Sequence, residues 1–200
     1  MKSYLLLIPV LLLTFQCLAQ EKSFKRGVSY GSHSAADMNT ASAGISWWYN
    51  WGNQPDASIR TTYSNYGVDY APMAWNAAGI NGVNTWVSQD NRVKYILGFN
   101  EPNFKDQANM TPTQAAAAWP QLQAIADKYG LKLVSPAVNY CGNCVSENGT
   151  VYTNPFKWLD DFFAACPTCR VDYIALHWYG GGNSMMSYVN DARKYGKPIW

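Results

Sequence analysis

The sequence predicts an α/β fold of the (β/α)8, or TIM-barrel, type. Three observations support this prediction: short β-rich runs recur along the chain, the intervals between them have room for a helix or a structured loop, and polar or aromatic residues follow the runs. Alternation of strands with helices is typical of parallel sheets, because parallel neighbours need a crossover connection. With 200 residues, 48% of them hydrophobic, the chain has material for one packed core, so we expect one domain.

Six complete strands and the start of a seventh are predicted. Each run is rich in β-branched or aromatic residues and is too short for a helix. The runs are residues 25–31, 45–52, 69–76, 93–99, 131–137, 171–179 and 197–200. A complete barrel has eight strands and about 250 residues, so the predicted barrel is incomplete within this sequence.

A doubly wound parallel sheet is the alternative architecture. Such a sheet normally has a glycine-rich phosphate-binding loop after its first strand, and residues 28–33, Val-Ser-Tyr-Gly-Ser-His, do not form one. The barrel also explains the polar and aromatic residues that follow several strands, since active sites of barrels form at the carboxyl ends of the strands. We therefore favour the barrel.

Three helices are predicted from the residues that would cap them. The first begins at Thr111, which can form a capping box with Gln114, and it contains Pro120, which is expected to kink it. The other two begin near Asn154 and Asn183. Their apolar stripes are interpreted as packing surfaces rather than binding sites.

Residues 1–19 are interpreted as a secretory signal peptide. Lys2 precedes a short apolar stretch, and Cys17-Leu18-Ala19 is similar to a small-residue cleavage site. The apolar run is too short to span a bilayer comfortably. We therefore expect residues 20–200 to form an exported protein, extracellular or periplasmic, that has no membrane contact after signal removal and is a monomer.

Charged residues are scarce in this sequence and aromatic residues are abundant. The formal net charge is +2, from 15 Lys and Arg against 13 Asp and Glu, and no basic run is present. Nucleic acid is therefore not expected as a partner. Charged residues make up 14% of the chain, whereas nine Trp and fourteen Tyr are spread through it. This imbalance indicates that some of the aromatic side chains have a function besides packing in the core.

Four cysteines remain after the signal segment, as two C-x-x-C pairs: Cys141 with Cys144, and Cys166 with Cys169. Four thiolates at this spacing can bind zinc. Paired cysteines in an exported protein are normally oxidised, so we favour two short-range disulfides and expect no metal site. The spacing alone does not decide the connectivity.

Glu101 is the residue around which a site is predicted. It follows the run 93–99 and precedes Pro102, which cannot continue a central strand, so we expect it at a strand's carboxyl end. An isolated glutamate is usually a surface carboxylate, but the residues that end other strands favour a functional interpretation. These residues are Trp47, Trp48, Tyr49, Trp51, Trp75, Asn76, Asn100, Asn139, Tyr140, His177, Trp178 and Tyr179.

This set of side chains is suited to carbohydrate. The C–H faces of sugar rings pack on aromatic rings, and sugar hydroxyls need hydrogen-bond partners. Cleavage of a glycosidic bond normally requires two carboxyl groups. Besides Glu101, the sequence has Glu21, next to the expected mature terminus, and Glu147, in a cysteine-rich loop. Among the aspartates, Asp69 and Asp172 begin strands, and Asp37, Asp56 and Asp106 fall in loops, so no second carboxylate is predicted at a strand end within these residues.

Five short motifs follow one another along the chain. They are Trp48-Tyr49-Asn50-Trp51, Gly98-Phe99-Asn100-Glu101-Pro102-Asn103, Ser135-Pro136-Ala137-Val138, Cys166-x-x-Cys169 and His177-Trp178-Tyr179. As an ordered set, they resemble glycoside hydrolase family 128, a group of (β/α) barrel enzymes that act on β-1,3-glucans. The resemblance covers about residues 27–200 and implies a secreted glycosidase without a cofactor, of which residues 20–200 are part of the catalytic domain.

The resemblance also implies roles for individual residues. Glu101 would be the general acid/base of a retaining hydrolase, and Asn100 would bind the sugar next to the cleavage point. His177 and Tyr179 would line the site. The residues expected to contact glucan are Trp48, Trp51, Trp75 and Trp178. A disulfide between Cys166 and Cys169 is implied as well, and by analogy one between Cys141 and Cys144.

The nucleophile of this family is a second glutamate, at the end of the seventh strand in a pattern similar to Ile-Trp-x-Thr-Glu. The sequence given ends at Ile199-Trp200, so we expect that glutamate just beyond it. These 200 residues are therefore not expected to be active by themselves. The alternative hypothesis is a non-catalytic protein that binds β-glucan on a degenerate barrel.

Overall fold

The structure, a computed structural model, describes residues 22–31 and 33–200 and has an α/β fold. The predicted signal peptide, residues 1–19, lies outside the described residues. The strands are β1 (Gly27–Ser29), β2 (Trp47–Tyr49), β3 (Asp69–Tyr70), β4 (Tyr95–Leu97), β5 (Lys132–Val134), β6 (Ser146–Glu147) and β7 (Thr150–Val151). The α-helices are α1 (Ala35–Ala41), α2 (Ile80–Val87), α3 (Pro112–Tyr129), α4 (Pro155–Ala165) and α5 (Gly182–Ala192). No described helix is long and apolar enough to cross a membrane.

The first five strands pair in parallel and in chain order. β1, β2 and β3 form one parallel sheet, and β4 and β5 form another. Isolated parallel bridges continue this order, from Met73 to Leu97, from Val134 to Tyr173 and from Ile174 to Ile199. The predicted α/β class is therefore confirmed. Among the described residues, the pairing does not return from the last segment to β1.

The predicted sixth and seventh strands are present only as isolated bridges. Side chains interrupt the ladder here: Asp172 accepts a hydrogen bond from the Leu133 N–H at 2.8 Å, and the Ser135 hydroxyl accepts one from the Ala175 N–H at 2.9 Å. These contacts take the place of some backbone hydrogen bonds between β5 and the sixth segment, although the N–H groups of Asp172 and Ser135 still donate to the backbone carbonyls of Leu133 and Tyr173. The segment nevertheless runs parallel to β5 and leads to His177.

All three predicted helices are present, and the predicted side-chain caps form at the first two, whereas the third has Gly181 at its N-cap and no side-chain capping bond. The Thr111 side chain accepts from the Gln114 N–H in a capping box, and α3 continues through Pro120 as one helix of 18 residues. Asn154 caps α4, and α5 begins at Gly182. Helices α1 and α2 and the antiparallel hairpin of β6 and β7 were not predicted.

The apolar stripes of α3 and α4 pack against each other and form much of the core. Trp119, Leu122 and Phe162 are fully buried, and the Trp119 and Phe162 rings lie 5.4 Å apart. The indole N–H of Trp158 donates to the Met110 carbonyl at 3.0 Å, so its polar atom is also satisfied. The interpretation of these stripes as packing surfaces is confirmed.

Both C-x-x-C pairs form local disulfides. Cys141 bonds to Cys144 and Cys166 to Cys169, with Cα–Cα distances of 5.5 and 5.3 Å. The first bridge lies between β5 and β6, on the side to which β5 leads. The second lies between α4 and the segment at Tyr173, on the opposite side. Because all four sulfurs are bonded in pairs, none remains as a zinc ligand.

Gly98 follows β4 where the chain packs closely on its neighbour. A Cβ at this position would lie 2.8 Å from the Pro136 nitrogen and 2.8 Å from the Ser135 carbonyl carbon. Gly98→Ala is therefore expected to lower the free energy of unfolding by about 1–3 kcal/mol, because backbone must move to admit the methyl group. Urea denaturation measures this change. Gly44→Ala is the control, since its nearest contact is the Ala41 carbonyl oxygen at 3.8 Å; equal losses in the two variants would contradict the prediction.

Candidate active site

Glu101 lies where the chain leaves β4, as predicted, and its backbone is held between two neighbours. Its N–H donates to the Ala137 carbonyl at 2.8 Å, and the N–H of Asn100 donates to the Trp75 carbonyl at 2.9 Å. Glu101 is only 7% exposed and has a φ of +41°. A left-handed conformation costs a residue with a Cβ about 1–3 kcal/mol, and it persists only where the surroundings enforce it.

His177 and Tyr179 contact the Glu101 carboxylate, so three of the predicted site residues come together. The His177 Nδ1 atom lies 2.9 Å from Glu101 Oε1, and the Tyr179 hydroxyl donates to the same oxygen at 3.3 Å. Among the residues that the structure describes, no hydrogen bond is made to Oε2. Oε1 is thus used to orient the carboxyl group, and Oε2 is available to a reacting molecule.

Two tyrosine hydroxyls next to this carboxylate are kept in their neutral form. Burial raises the pKa of Tyr49, and the charge of Glu101 raises it further, against a hydrogen bond from Ser29 that lowers it. The pKa of Tyr179 is raised by desolvation of its hydroxyl, by the charge of Glu101 and by the hydrogen bond to it. Both groups therefore remain hydrogen-bond donors at neutral pH.

Asn100 presents a free acceptor beside Glu101. Its side chain is 3% exposed, and its Nδ2 donates to Gln107 Oε1 at 2.9 Å. Its Oδ1 is buried and has no partner among the described residues. A buried amide oxygen without a partner is costly, so it is a position where a ligand hydroxyl could donate. Gln107, which fixes this orientation, was not predicted because nothing in the local pattern distinguishes it.

Three of the four tryptophans predicted to contact glucan have accessible surface. Trp51 is 37% exposed and packs edge-on against Tyr49, with 5.4 Å between the ring centroids. Trp75 and Trp178 are half-buried. The indole N–H of Trp178 donates to the Gly181 carbonyl at 3.1 Å, which fixes the ring. Beside them, Tyr179 is 81% exposed.

The prediction that Trp48 contacts glucan is wrong. Trp48 is fully buried, and its ring packs against His33 and Tyr70 at centroid distances of 4.9 and 4.7 Å. Successive side chains of a strand point to opposite faces, so Trp48 faces the helices, whereas Trp47 and Tyr49 face the other way. The alternation in β2 was readable from the sequence and showed that Trp48 and Tyr49 could not both face the site.

A cavity of about 220 Å³ lies on the face of the sheet to which Trp47 and Tyr49 point, and its lining includes His177, the residue that contacts Glu101. It is lined by these two residues and by Ser29, His177 and Trp200, together with small and aliphatic residues of the neighbouring strands. The cavity joins the ends of the first two strands to the segment that carries His177.

The other described glutamate has a structural position. The Glu147 carboxylate accepts hydrogen bonds from the hydroxyls of Thr111, at 2.7 Å, and Thr113, at 3.1 Å. It thereby fastens the hairpin of β6 and β7 to the first turn of α3, whose positive dipole end favours an anion. Within the described part of the chain, no group of three or more His, Cys, Asp or Glu side chains could hold a metal ion.

Comparison with known proteins identifies related sequences along almost all of the described chain. A family model described as a glycosyl hydrolase catalytic core matches residues 27–200. Alkali-sensitive linkage protein 1 of Schizosaccharomyces pombe is 30% identical over 187 residues, which are 89% of this chain and 31% of the relative. The chain thus spans about a third of the length of this curated relative.

Several solved structures are similar to the chain in both sequence and fold. An endo-β-1,3-glucanase of family GH128, subgroup II, from Pseudomonas viridiflava is 41% identical with a TM-score of 0.79, over 90% of this chain and 70% of that one. A subgroup II enzyme from Sorangium cellulosum is 42% identical with a TM-score of 0.71, over 87% and 71%. A subgroup I enzyme from Amycolatopsis mediterranei, in complex with laminaritriose, is 31% identical with a TM-score of 0.67, over 89% and 70%.

Proposed function

The chain belongs to the glycosyl hydrolase catalytic core family and, within it, to glycoside hydrolase family 128, and on this basis we propose that it provides the acid/base half of a retaining β-1,3-glucanase. The observation that carries the proposal is the Glu101 carboxyl group, buried at a strand end and oriented by His177 and Tyr179. Solved relatives described as β-1,3-glucanases, one of them in complex with laminaritriose, support the choice of substrate.

In the proposed reaction, Glu101 acts first as an acid and then as a base. As a carboxylic acid, it gives its proton to the glycosidic oxygen while the nucleophile attacks the anomeric carbon and the leaving sugar departs. As a carboxylate, it then takes a proton from the water that hydrolyses the glycosyl-enzyme intermediate. His177 and Tyr179 hold Oε1, which leaves Oε2 to exchange the proton. The free Oδ1 of Asn100 would accept a hydrogen bond from a sugar hydroxyl.

We propose that the nucleophile is a glutamate three residues after Trp200. In the family pattern, Ile-Trp-x-Thr-Glu, Trp200 matches the tryptophan. The backbone pairing supports this proposal. The Trp200 N–H donates to the Ile174 carbonyl at 2.8 Å, and the Leu176 N–H donates to the Trp200 carbonyl at 3.2 Å, as in a pair of parallel strands. A chain continuing in this direction passes beside His177 and reaches the side of the sheet where Glu101 lies. Retaining enzymes need the two carboxyl groups about 5–5.5 Å apart.

The complete protein is proposed to be an exported, monomeric (β/α)8 barrel. Parallel pairing in chain order from β1 to the segment at Ile199 is the arrangement that a barrel requires. The signal-like residues 1–19 and the two disulfides support export to an oxidising compartment, outside the cell or in the periplasm.

A β-glucan-binding protein without hydrolytic activity is the second candidate. It is favoured by the aromatic surface of Trp51 and Tyr179 beside a single carboxylate. The two functions are separated by incubating the protein, extended by the residues that follow Trp200 in its gene, with soluble β-1,3-glucan. Release of reducing ends with retained anomeric configuration, followed by NMR, supports the hydrolase. Binding without release overturns it in favour of the binding protein.

A further inference from the structure

Asn103 is a fully buried amide that joins the Glu101 loop to a distant segment. Its side chain is 0% exposed. Its Nδ2 donates to the Asn139 carbonyl at 2.8 Å and to the Tyr152 carbonyl at 3.4 Å. The backbone carbonyl of Asn103 accepts a hydrogen bond from the Val145 N–H at 2.9 Å. One residue thus contacts three points of the chain between β5 and α4.

The segment that Asn103 contacts, residues 139–152, contains the Cys141–Cys144 disulfide. The residues after Asn103 pair with the same loop: Phe104 forms an antiparallel bridge with Cys144, and the Lys105 N–H donates to the Asn143 carbonyl at 3.0 Å. The disulfide therefore fixes the surface against which this stretch of the Glu101 loop is held.

The conformation of Glu101 depends on both ends of its turn. At one end, the Glu101 N–H is bonded to Ala137. At the other, the Phe104 N–H donates to the Glu101 carbonyl at 2.9 Å, within the stretch that Asn103 fastens. A left-handed glutamate relaxes when its surroundings loosen, and relaxation would move the carboxylate away from His177 and Tyr179.

We propose that Asn103 is a positioning residue for Glu101, and that it acts through the loop closed by the Cys141–Cys144 disulfide. Its amide group supplies hydrogen bonds that hold one side of the Glu101 turn; among the described residues it makes no hydrogen bond to Glu101, and it does not line the cavity. The proposal rests on the proposed function, because it takes Glu101 to be the acid/base.

Asn103→Ala in the extended protein is expected to lower kcat on soluble β-1,3-glucan by about 10- to 100-fold, since a misplacement of about 1 Å can cost a reaction about 10²-fold. KM is expected to stay within about twofold, because Asn103 does not line the site. The double variant Cys141→Ser/Cys144→Ser should also lower kcat with little change in KM. Because both changes loosen one segment, their effects on kcat should not multiply in the triple variant.

The matched control is Cys166→Ser/Cys169→Ser, which opens a disulfide of the same sequence separation on the opposite side of the sheet. Its kcat is expected to equal that of the parent protein. A kcat unchanged by Asn103→Ala, or effects that multiply in the triple variant, would overturn the proposal. If Asn103→Ala does not fold, an unchanged kcat in Cys141→Ser/Cys144→Ser overturns it equally.

Amide hydrogen exchange provides a readout that does not depend on hydrolysis. Exchange of peptides covering residues 98–105 is expected to be faster in the Asn103 variant and in the Cys141/Cys144 variant, and unchanged in the Cys166/Cys169 control. An inactive parent protein with this exchange pattern would reject the proposed function alone. An active parent protein whose Asn103 variant keeps its kcat would reject the positioning role alone.

Discussion

Replacing Glu101 with glutamine in the extended protein is expected to lower kcat on soluble β-1,3-glucan by about 10²- to 10⁴-fold, the usual contribution of a general acid/base. Glutamine has nearly the same shape, and its amide can still form hydrogen bonds with His177 and Tyr179, so the fold should be preserved. It cannot give a proton to the glycosidic oxygen. Release of reducing ends under saturating substrate measures the loss.

Glu147→Gln is the matched control for this experiment. Glu147 is the other glutamate that the structure describes after Glu101, and its carboxylate is bonded to Thr111 and Thr113 at the start of α3. Its removal is expected to affect stability modestly and kcat by less than about twofold, since it lies away from the reacting groups. Equal activity of Glu101→Gln and the parent protein would remove Glu101 from the mechanism.

Trp48→Ala is expected to lower the free energy of unfolding by about 3–5 kcal/mol, the range for deleting a buried aromatic side chain. The ring is 0% exposed and packs against His33 and Tyr70, so its loss leaves a cavity that these neighbours cannot fill. Denaturant unfolding followed by circular dichroism measures the change.

Trp51→Ala is the comparison variant for Trp48→Ala. Trp51 belongs to the same sequence motif, but its side chain is exposed. Trp51 is 37% exposed, so its removal is expected to change the free energy of unfolding by less than about 1 kcal/mol. Its effect should appear instead as weaker binding of laminaritriose, measured by calorimetry. A large loss of stability in Trp51→Ala and a small one in Trp48→Ala would contradict the burial of these two side chains.

The fold was predictable from the sequence where local signals agreed with one another. The capping box of Thr111 and Gln114 marks the start of α3, and the β-rich run before Glu101 marks β4. The hairpin of β6 and β7 also had a signal, the Asn148-Gly149 pair, whose positive φ angles suit a tight turn. Its strands have two residues each, which is too short to give the alternating pattern from which strands are predicted.

The sequence was sufficient to predict which strand ends carry the residues of the candidate site. It was not sufficient to predict which of these residues contact one another. Glu101 and His177 are 76 positions apart, and the parallel order of the strands brings their ends to one side. The hydrogen bond from Asn103 to Asn139 spans 36 positions between two loops, and loop conformations are not encoded in a periodic pattern. The direction of each aromatic side chain followed from strand alternation, which applies to Trp48 as to its neighbours.

The left-handed backbone of Glu101 lowers the stability of the fold at the same position where the proposed proton transfer takes place. Glycine adopts a φ of +41° without the steric cost that a side chain brings, but it has no proton to transfer. A programme that selected substitutions for thermostability alone would therefore be drawn to the residue on which hydrolysis is proposed to depend. Engineering of this protein for heat resistance should keep position 101 fixed and seek its gains elsewhere, because trade-offs of this kind are concentrated at active sites.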